Sequence, residues 1–275
     1  MKRFFLFVIL LTVTLGATPD KITWVAIGDS ITYLNDHLDE TGHRVTKGYL
    51  TLVSERYPHV TYINKGYNGW TSIGIAEQIE KLGLVPADVY TVFLGTNDWW
   101  QGKPVGTLAD YEQNTGTGTI SGAFRVIISK LRQLNPNAQI ILMTPIQRGD
   151  FVYLTNFKNN AFGSYQPKNG QTLEQVADAI RAIGKHEHLA VADLYHKSGI
   201  TPKNVVRYKR LRDPATGTFR NYAWPAYTSV PFDPAKDEYP YPADAIDLTY
   251  DGLHPSDAGY ERITKVLVKK WKGLK

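Results

Sequence analysis

The 275-residue chain contains no cysteine, which excludes disulfide bonds and a cysteine-linked lipid anchor. A domain of this length does not need such cross-links, because it can bury a large core. The formal net charge is +5 and falls to +3 without Lys2 and Arg3, which is too small to indicate a partner among the nucleic acids. The chain also has no glycine-rich phosphate-binding loop of either standard type.

Long apolar runs are absent except near the N-terminus. There, the run Phe4–Leu15 follows two basic residues and precedes two small ones, which is the layout of a secretory signal peptide. The run is shorter than the ~20 residues that cross a bilayer. We therefore expect residues 1–17 to be removed on export to a periplasmic or extracellular location, with no stable membrane insertion afterwards. The mature domain would then cover residues 18–275, and an uncleaved N-terminal anchor is the alternative.

Apolar, β-branched runs alternate with helical patterns along the rest of the chain. The predicted strands are Ile22–Ile27, Val60–Asn64, Val89–Leu94, Gln139–Thr144 and Leu189–Leu194. The predicted helices are Gly48–Tyr57, Ser72–Leu82, Ile120–Leu134, Leu173–Lys185 and Asp257–Trp271. Near-continuous hydrophobicity is typical of strands that are buried on both faces. The pattern therefore predicts a single doubly wound, three-layer α/β/α domain with a five-stranded parallel sheet.

Three segments interrupt this alternation and are predicted to be loops: Gln101–Thr119, Pro145–Gln171 and Tyr195–Tyr250. The last is the longest and is rich in proline, tyrosine and charge. A long segment without regular structure inside a compact domain is usually functional or disordered, and the aromatic content here argues against disorder. We predict that residues 195–250 form an insertion packed near the entrance of a functional site.

Three polar motifs point to nucleophilic catalysis. Ser30 lies in Gly28-Asp29-Ser30-Ile31 after the first predicted strand, Asn97 follows the third, and Asp251 and His254 lie three residues apart near the C-terminus. A serine hydroxyl needs a base to become a nucleophile, and a histidine base needs an acceptor that fixes its tautomer. An amide side chain can stabilise an oxyanion. Turn and helix-capping roles for the aspartate and histidine are the alternative.

These motifs occur in the order typical of the SGNH hydrolases, also called GDSL esterases, and the chain resembles that family over most of its length. The matching residues are Ser30, Asp251 and His254 for the catalytic triad, and Ser30, Gly69 and Asn97 for the oxyanion hole. Gly69 ends the matching stretch 64–69, and Ile31 replaces the leucine of the family name by a similar apolar residue. The resemblance implies a flavodoxin-like fold and ester hydrolysis through an acyl-enzyme, without metal or cofactor.

Residues next to the matched blocks are further candidates. Trp70, Trp99 and Trp100 are predicted to bind substrate, because aromatic faces suit a sugar ring or an acyl chain; packing in the core is the alternative. We expect Asp29 and Asp98 to hold the loops by accepting backbone hydrogen bonds, rather than to act as acid or base.

The combined observations predict a secreted serine esterase that removes acetyl groups from O-acetylated carbohydrate. The alternatives are a lysophospholipase or thioesterase, which needs a long acyl tunnel, and a non-catalytic glycan-binding module, which would have lost part of the site. A small-molecule or glycan ester is the expected partner, and nothing in the sequence indicates an oligomeric state. The stretch His186-Glu187-His188 lies at a predicted helix end without a third ligand, so we expect a turn there rather than a metal site.

The signal-peptide interpretation makes a direct prediction about processing. Exported protein should lack residues 1–17, because the basic start, apolar run and small residues together form a cleavable leader. Intact-mass spectrometry of protein recovered from the exported fraction measures this. A mass that still includes those residues would favour the anchor.

Overall fold

The computed structural model describes residues 20–274, so the predicted leader at residues 1–17 lies outside the described residues. The strands are β1 (Ile22–Gly28), β2 (Val60–Gly66), β3 (Val89–Phe93), β4 (Gln139–Met143), β5 (Phe151–Tyr153), β6 (Asn156–Ala161), β7 (Ala190–Ala192), β8 (Lys209–Arg212) and β9 (Phe219–Tyr222). Five of them form one parallel sheet in the order β2-β1-β3-β4-β7. This confirms the predicted doubly wound α/β fold with a five-stranded parallel sheet.

Helices cover both faces of this sheet. They are α1 (Ser30–Tyr33), α2 (Tyr49–Arg56), α3 (Ser72–Glu77), α4 (Thr96–Trp100), α5 (Leu108–Glu112), α6 (Ile120–Leu134), α7 (Leu173–His186), α8 (Leu194–Lys197) and α9 (Asp257–Val268). Successive residues of β1 point to opposite faces: Trp24 packs in the core with α2 and α9, whereas Val25 packs in the core with α3, α6 and α7. Within the described residues, no helix is long and apolar enough to cross a membrane.

Two predicted helices are too long. The second predicted helix, which is α3 of the structure, ends at Glu77 rather than Leu82, and the last ends at Val268 rather than Trp271. Leu82 and Trp271 are nevertheless buried, so the apolar spacing reflects core contacts that continue past each helix end. After α9, the side chain of Gln139 binds the backbone of residues 270 and 272 and draws the chain away from the helical path.

The three predicted loops contain regular structure that the sequence pattern did not indicate. The first holds α5, which begins with a capping box formed by Thr107 and Asp110. The second holds the antiparallel hairpin β5–β6, and the third holds the antiparallel hairpin β8–β9. These strands are short, and β6, β8 and β9 are mostly polar, so their formation depends on neighbouring segments rather than on local periodicity.

A buried ion pair fixes the insertion to the main domain. Lys209 on β8 places its Nζ 2.8 Å from Oδ2 of Asp150, and both side chains are almost completely buried. The hydroxyl of Tyr165 donates to the carboxylate of Asp150, and the hydroxyl of Tyr241 donates to its carbonyl oxygen. Asp150 lies in the loop after β4, so the insertion is anchored at the sheet edge where the strands end.

This ion pair predicts a large effect on stability. Lys209→Met should lower the free energy of unfolding by ~3–5 kcal/mol, because it leaves a buried carboxylate without its counter-charge. Lys236→Met is the matched control: the exposed Lys236 lies 3.3 Å from Asp233, and such a pair contributes ~0–1 kcal/mol. Urea denaturation of both variants measures the difference. Equal, small effects would show that Asp150 does not depend on Lys209.

Candidate active site

Ser30 is placed by the turn between β1 and the short helix α1. Asp29 caps that helix, and its carboxylate accepts a hydrogen bond from the amide of Ile31 at 3.0 Å. The carbonyl of Ile31 in turn accepts a hydrogen bond from the hydroxyl of Tyr260 on α9, at 2.9 Å. The turn is therefore held by its own cap and by α9, the helix that follows the segment with Asp251 and His254.

Asp251, His254 and Ser30 form one continuous line of hydrogen bonds. Nε2 of His254 lies 2.9 Å from Oγ of Ser30, and Nδ1 of His254 lies 2.6 Å from Oδ2 of Asp251. The other carboxylate oxygen, Oδ1, accepts hydrogen bonds from the amides of Leu253 and His254 at 3.0 and 2.7 Å. All three side chains are at most 7% exposed. The three-residue spacing thus lets one carboxylate hold both the imidazole and its own loop.

The loop that carries the histidine packs against the loop after β4. The amide of Gly149 donates to the carbonyl of Gly252 at 2.8 Å. Gly252 has a φ of +88°, and a Cβ added there would lie 1.8 Å from the carbonyl oxygen of Asp150. The ring of Phe151 lies edge-on to the imidazole of His254, with centroids 5.3 Å apart. Position 252 therefore requires glycine, and residues 148–152 form one wall behind the imidazole.

The predicted oxyanion donors are the amides of Ser30 and Gly69 and the side-chain amide of Asn97. Nδ2 of Asn97 donates to the carbonyl of Trp70 at 3.0 Å, which fixes the amide and leaves its second hydrogen available. Gly69 lies at the end of the loop after β2 with a φ of +76°. Neither the Ser30 amide nor the Gly69 amide donates to another described residue. Ser30, Gly69 and Asn97, which carry the predicted oxyanion donors, thus line one cavity.

The neighbouring aspartates stabilise the loops, as their positions predict. The carboxylate of Asp98 accepts hydrogen bonds from the amide of Ser72 and, at 2.7 Å, from its hydroxyl. Burial raises the pKa of Asp98, and these hydrogen bonds act in the opposite direction. Burial also raises the pKa of Asp29 to about 7, against the hydrogen bond from Ile31.

The cavity that contains Ser30 has a volume of about 250 Å³. Its walls are formed by Ser30, Asn68, Gly69, Asn97, Trp100, Arg148, Phe151, Tyr153, Asn159, Ala161, Leu253 and His254. Seven of these, at positions 68, 148, 151, 153, 159, 161 and 253, were not singled out in the sequence. Most of them follow β4. Because sites form at the carboxyl ends of parallel strands, the position of this segment after a predicted strand was the signal that could have identified them.

The three candidate tryptophans do not share one role. Trp100 lines the cavity. Trp99 is 2% exposed, packs in the core and donates its Nε1 hydrogen to the carbonyl of Gln171 at 3.0 Å. Trp70 stacks on Tyr67 with centroids 4.8 Å apart and contributes its backbone carbonyl to the site. Adjacent residues of a helix point in different directions, which separates Trp99 from Trp100.

The stretch 186–188, which was predicted to be a turn, forms ion pairs with helix α6. Glu187 accepts hydrogen bonds from Arg125 and Arg132. Over residues 20–274, no group of three or more histidine, aspartate or glutamate side chains is arranged to hold a metal ion.

The chain is similar to known proteins over most of its length. The sequence matches the model of the GDSL-like lipase/acylhydrolase family over residues 26–262. A solved structure from Chitinophaga pinensis DSM 2588, described as a possible lipase, is 60% identical; the match covers 90% of this chain and 97% of that one, with a TM-score of 0.90. No curated protein is significantly similar to the chain.

Two more distant structures share the fold alone. A protein from Lactobacillus plantarum is 21% identical, with a TM-score of 0.60 over 92% of this chain and 97% of that one. An acetyl xylan esterase, AlAXEase, is 17% identical, with a TM-score of 0.53 over 90% of this chain and 98% of that one. The family match and the 60% identical structure confirm the resemblance to SGNH hydrolases: the chain belongs to the GDSL-like lipase/acylhydrolase family, whose members hydrolyse esters.

Proposed function

We propose that this hydrolase is an exported serine esterase that releases short acyl groups, acetyl above all, from carbohydrate esters. The observation that carries the catalytic part is the hydrogen-bonded line from Asp251 through His254 to Ser30, at 2.6 and 2.9 Å. The arrangement contains a nucleophile, a base within reach of it, and a group that orients the base.

In the proposed mechanism, His254 carries the proton between the serine, the leaving alcohol and water. Nε2 of His254 accepts the hydroxyl proton as Oγ of Ser30 attacks the ester carbonyl, and Asp251 stabilises the resulting imidazolium. His254 then gives that proton to the departing alcohol, which leaves the acyl group on Ser30. Water attacks the acyl-enzyme with His254 again as base, so that the acid is released and the serine restored.

Negative charge on the carbonyl oxygen in the transition state requires donors fixed in advance. The amides of Ser30 and Gly69 and the second Nδ2 hydrogen of Asn97 are suited to this, since each lies in the wall of the same cavity. The bond from Asn97 to the carbonyl of Trp70 holds the donor in place before substrate arrives, so little reorganisation is needed.

The cavity supports a small acyl group and a polar alcohol. Its volume of about 250 Å³ lies below the ~300–1,000 Å³ typical of pockets for drug-sized ligands. Phe151 and Leu253 form part of its apolar wall, and Asn68 and Asn159 add polar groups that can bond to hydroxyls. The ring of Trp100 offers a flat face of the kind that packs against sugars. The predicted signal peptide supports a substrate outside the cytoplasm, where polysaccharides occur.

Substitution of the site residues tests the mechanism. Ser30→Ala and His254→Ala should leave little turnover, because each removes a group that takes part in bond formation or proton transfer. Asn97→Ala should lower kcat by ~10²–10³ with little change in KM, because the donor acts on charge that develops in the transition state. Steady-state kinetics on p-nitrophenyl acetate, with circular dichroism to verify folding, measures these effects.

Ser54→Ala is the matched control, because the Ser54 hydroxyl lies on α2 without a hydrogen-bond partner among the described residues. It should keep the activity of the unmodified enzyme. Undiminished hydrolysis by purified Ser30→Ala would remove the proposed nucleophile. A rise in KM at constant kcat for Asn97→Ala would make Asn97 a substrate-binding residue instead.

The size of the cavity makes a separate prediction about the acyl chain. Cleavage of p-nitrophenyl esters should be fastest for acetate and decline for longer chains, because the cavity has little room for further CH₂ groups. In a true acyl tunnel, each buried CH₂ would contribute ~0.8 kcal/mol, which is about a fourfold gain per carbon. A rising series would favour the lysophospholipase or thioesterase alternative. Release of acetate from acetylated polysaccharides then tests the carbohydrate part.

A further inference from the structure

Arg148 is a buried cation in the wall of the cavity that holds Ser30. It lies in the loop after β4, and its side chain is 1% exposed. The same cavity is lined by Ser30 and His254. None of the described residues that line this cavity is acidic. The cavity therefore combines the nucleophile with a fixed positive charge.

The described residues do not satisfy this guanidinium. Its one hydrogen bond to them runs from Nε to the carbonyl of Gly149, at 3.4 Å, and Nη2 is buried with no partner. A guanidinium has five N–H donors, and a buried charge without a partner is costly. Burial lowers the pKa of Arg148 to about 10, so the group remains a cation at neutral pH.

Three acids lie near Arg148, and each is bound to other groups. Asp29 accepts a hydrogen bond from the amide of Ile31. Asp251 binds the imidazole of His254 and two backbone amides. Asp150 binds Lys209 and the hydroxyl of Tyr165. None of these acids forms a salt bridge with Arg148 within the described part of the chain. The carboxylates of Asp150 and Asp251 help to keep Arg148 charged, but neither supplies an acceptor for its remaining N–H groups, which leaves that role to a ligand in the cavity.

Aromatic rings hold the guanidinium without using its donors. Its carbon atom lies 5.8 Å from the ring centroid of Trp99 and 6.0 Å from that of Trp100. Cation–π contacts of this kind stabilise the charge from the ring faces and leave the N–H edge available. This arrangement explains the burial of Trp99, which supports the cation without lining the cavity.

We propose that Arg148 recognises a carboxylate on the ester substrate and makes the enzyme selective for anionic esters. A carboxylate accepts short, charge-assisted hydrogen bonds from a guanidinium, which suits a cation that lacks acceptors among the described residues. The carboxylate can stand on the acyl half, as in a half-ester of a dicarboxylic acid, or on the alcohol half, as in an acetylated uronic acid. The inference rests on the proposed esterase function and narrows its substrate class.

Matched ester pairs test this proposal in the unmodified enzyme. Monomethyl succinate against methyl butyrate places the charge on the acyl half, and O-acetyl glucuronate against O-acetyl glucose places it on the alcohol half. A pH-stat measures the acid that hydrolysis releases and gives kcat/KM for each of the four esters. In one of the two pairs, the anionic member should be favoured about tenfold or more, since hydrogen bonds to charged groups are the strong ones. Equal rates within both pairs would overturn the proposal without any variant.

Variants then assign the preference to Arg148. Arg148→Gln should abolish the preference: kcat/KM for the anionic ester should fall about tenfold further than kcat/KM for the neutral ester of the same pair, mainly through KM. Arg148→Lys should restore part of it. Lys168→Gln is the matched control: it removes a cation that lies 3.9 Å from the Trp100 ring but does not line the cavity, and it should leave the preference unchanged.

Two outcomes would count against Arg148. An equal loss on neutral and anionic esters in Arg148→Gln would make it a positioning residue for the loop after β4. An equal loss of preference in Lys168→Gln would indicate a general electrostatic field rather than a carboxylate site. If no ester of either kind is hydrolysed by the unmodified enzyme, the esterase function itself fails, which is a different result from hydrolysis without charge preference.

Discussion

The buried carboxylate of Asp251 is the constraint on which the site depends. One of its oxygens binds the imidazole of His254, and the other binds two amides of its own loop. A carboxylate that is 1% exposed is tolerated because each oxygen has hydrogen-bond donors. The shape of the loop and the orientation of the proposed base therefore depend on each other. If the backbone moved, Asp251 would lose its position next to the imidazole. If the imidazole turned, the buried carboxylate of Asp251 would lose a hydrogen-bond donor.

The surroundings of that loop extend the same dependence to distant parts of the chain. The contact between Gly149 and Gly252 fixes the loop after β4 against it, and Asp150 joins this pair to the insertion through Lys209. The insertion is thus connected to the site through two intervening segments and a buried ion pair. Since breaking such a pair costs more than forming it gains, the network favours one arrangement of these segments.

The sequence predicted those parts of the fold and site that follow from local patterns. Continuous apolar runs such as the one containing Val25 marked the strands, and their ends marked Ser30 and Asn97. The helix ends at Glu77 and Val268 were missed because Leu82 and Trp271 continue the apolar spacing beyond them. Arg148 was missed because an isolated arginine in a loop usually faces solvent, and its burial depends on rings brought together by tertiary packing.

The pairing of Gly149 with Gly252 limits how this scaffold can acquire new specificities. Residues 148–152 contribute both a cavity wall and the support for the catalytic loop, so a change there alters recognition and catalysis together. Beyond Val152, the hairpin β5–β6 reaches the same cavity through Tyr153 and Asn159. The side chains of these two residues form no hydrogen bond with the described residues 251–254. Substitutions in evolution or in deliberate redesign are therefore better tolerated in this part of the hairpin than in residues 148–152. One wall of the cavity can change its specificity, whereas the other is constrained because it also supports the catalytic loop.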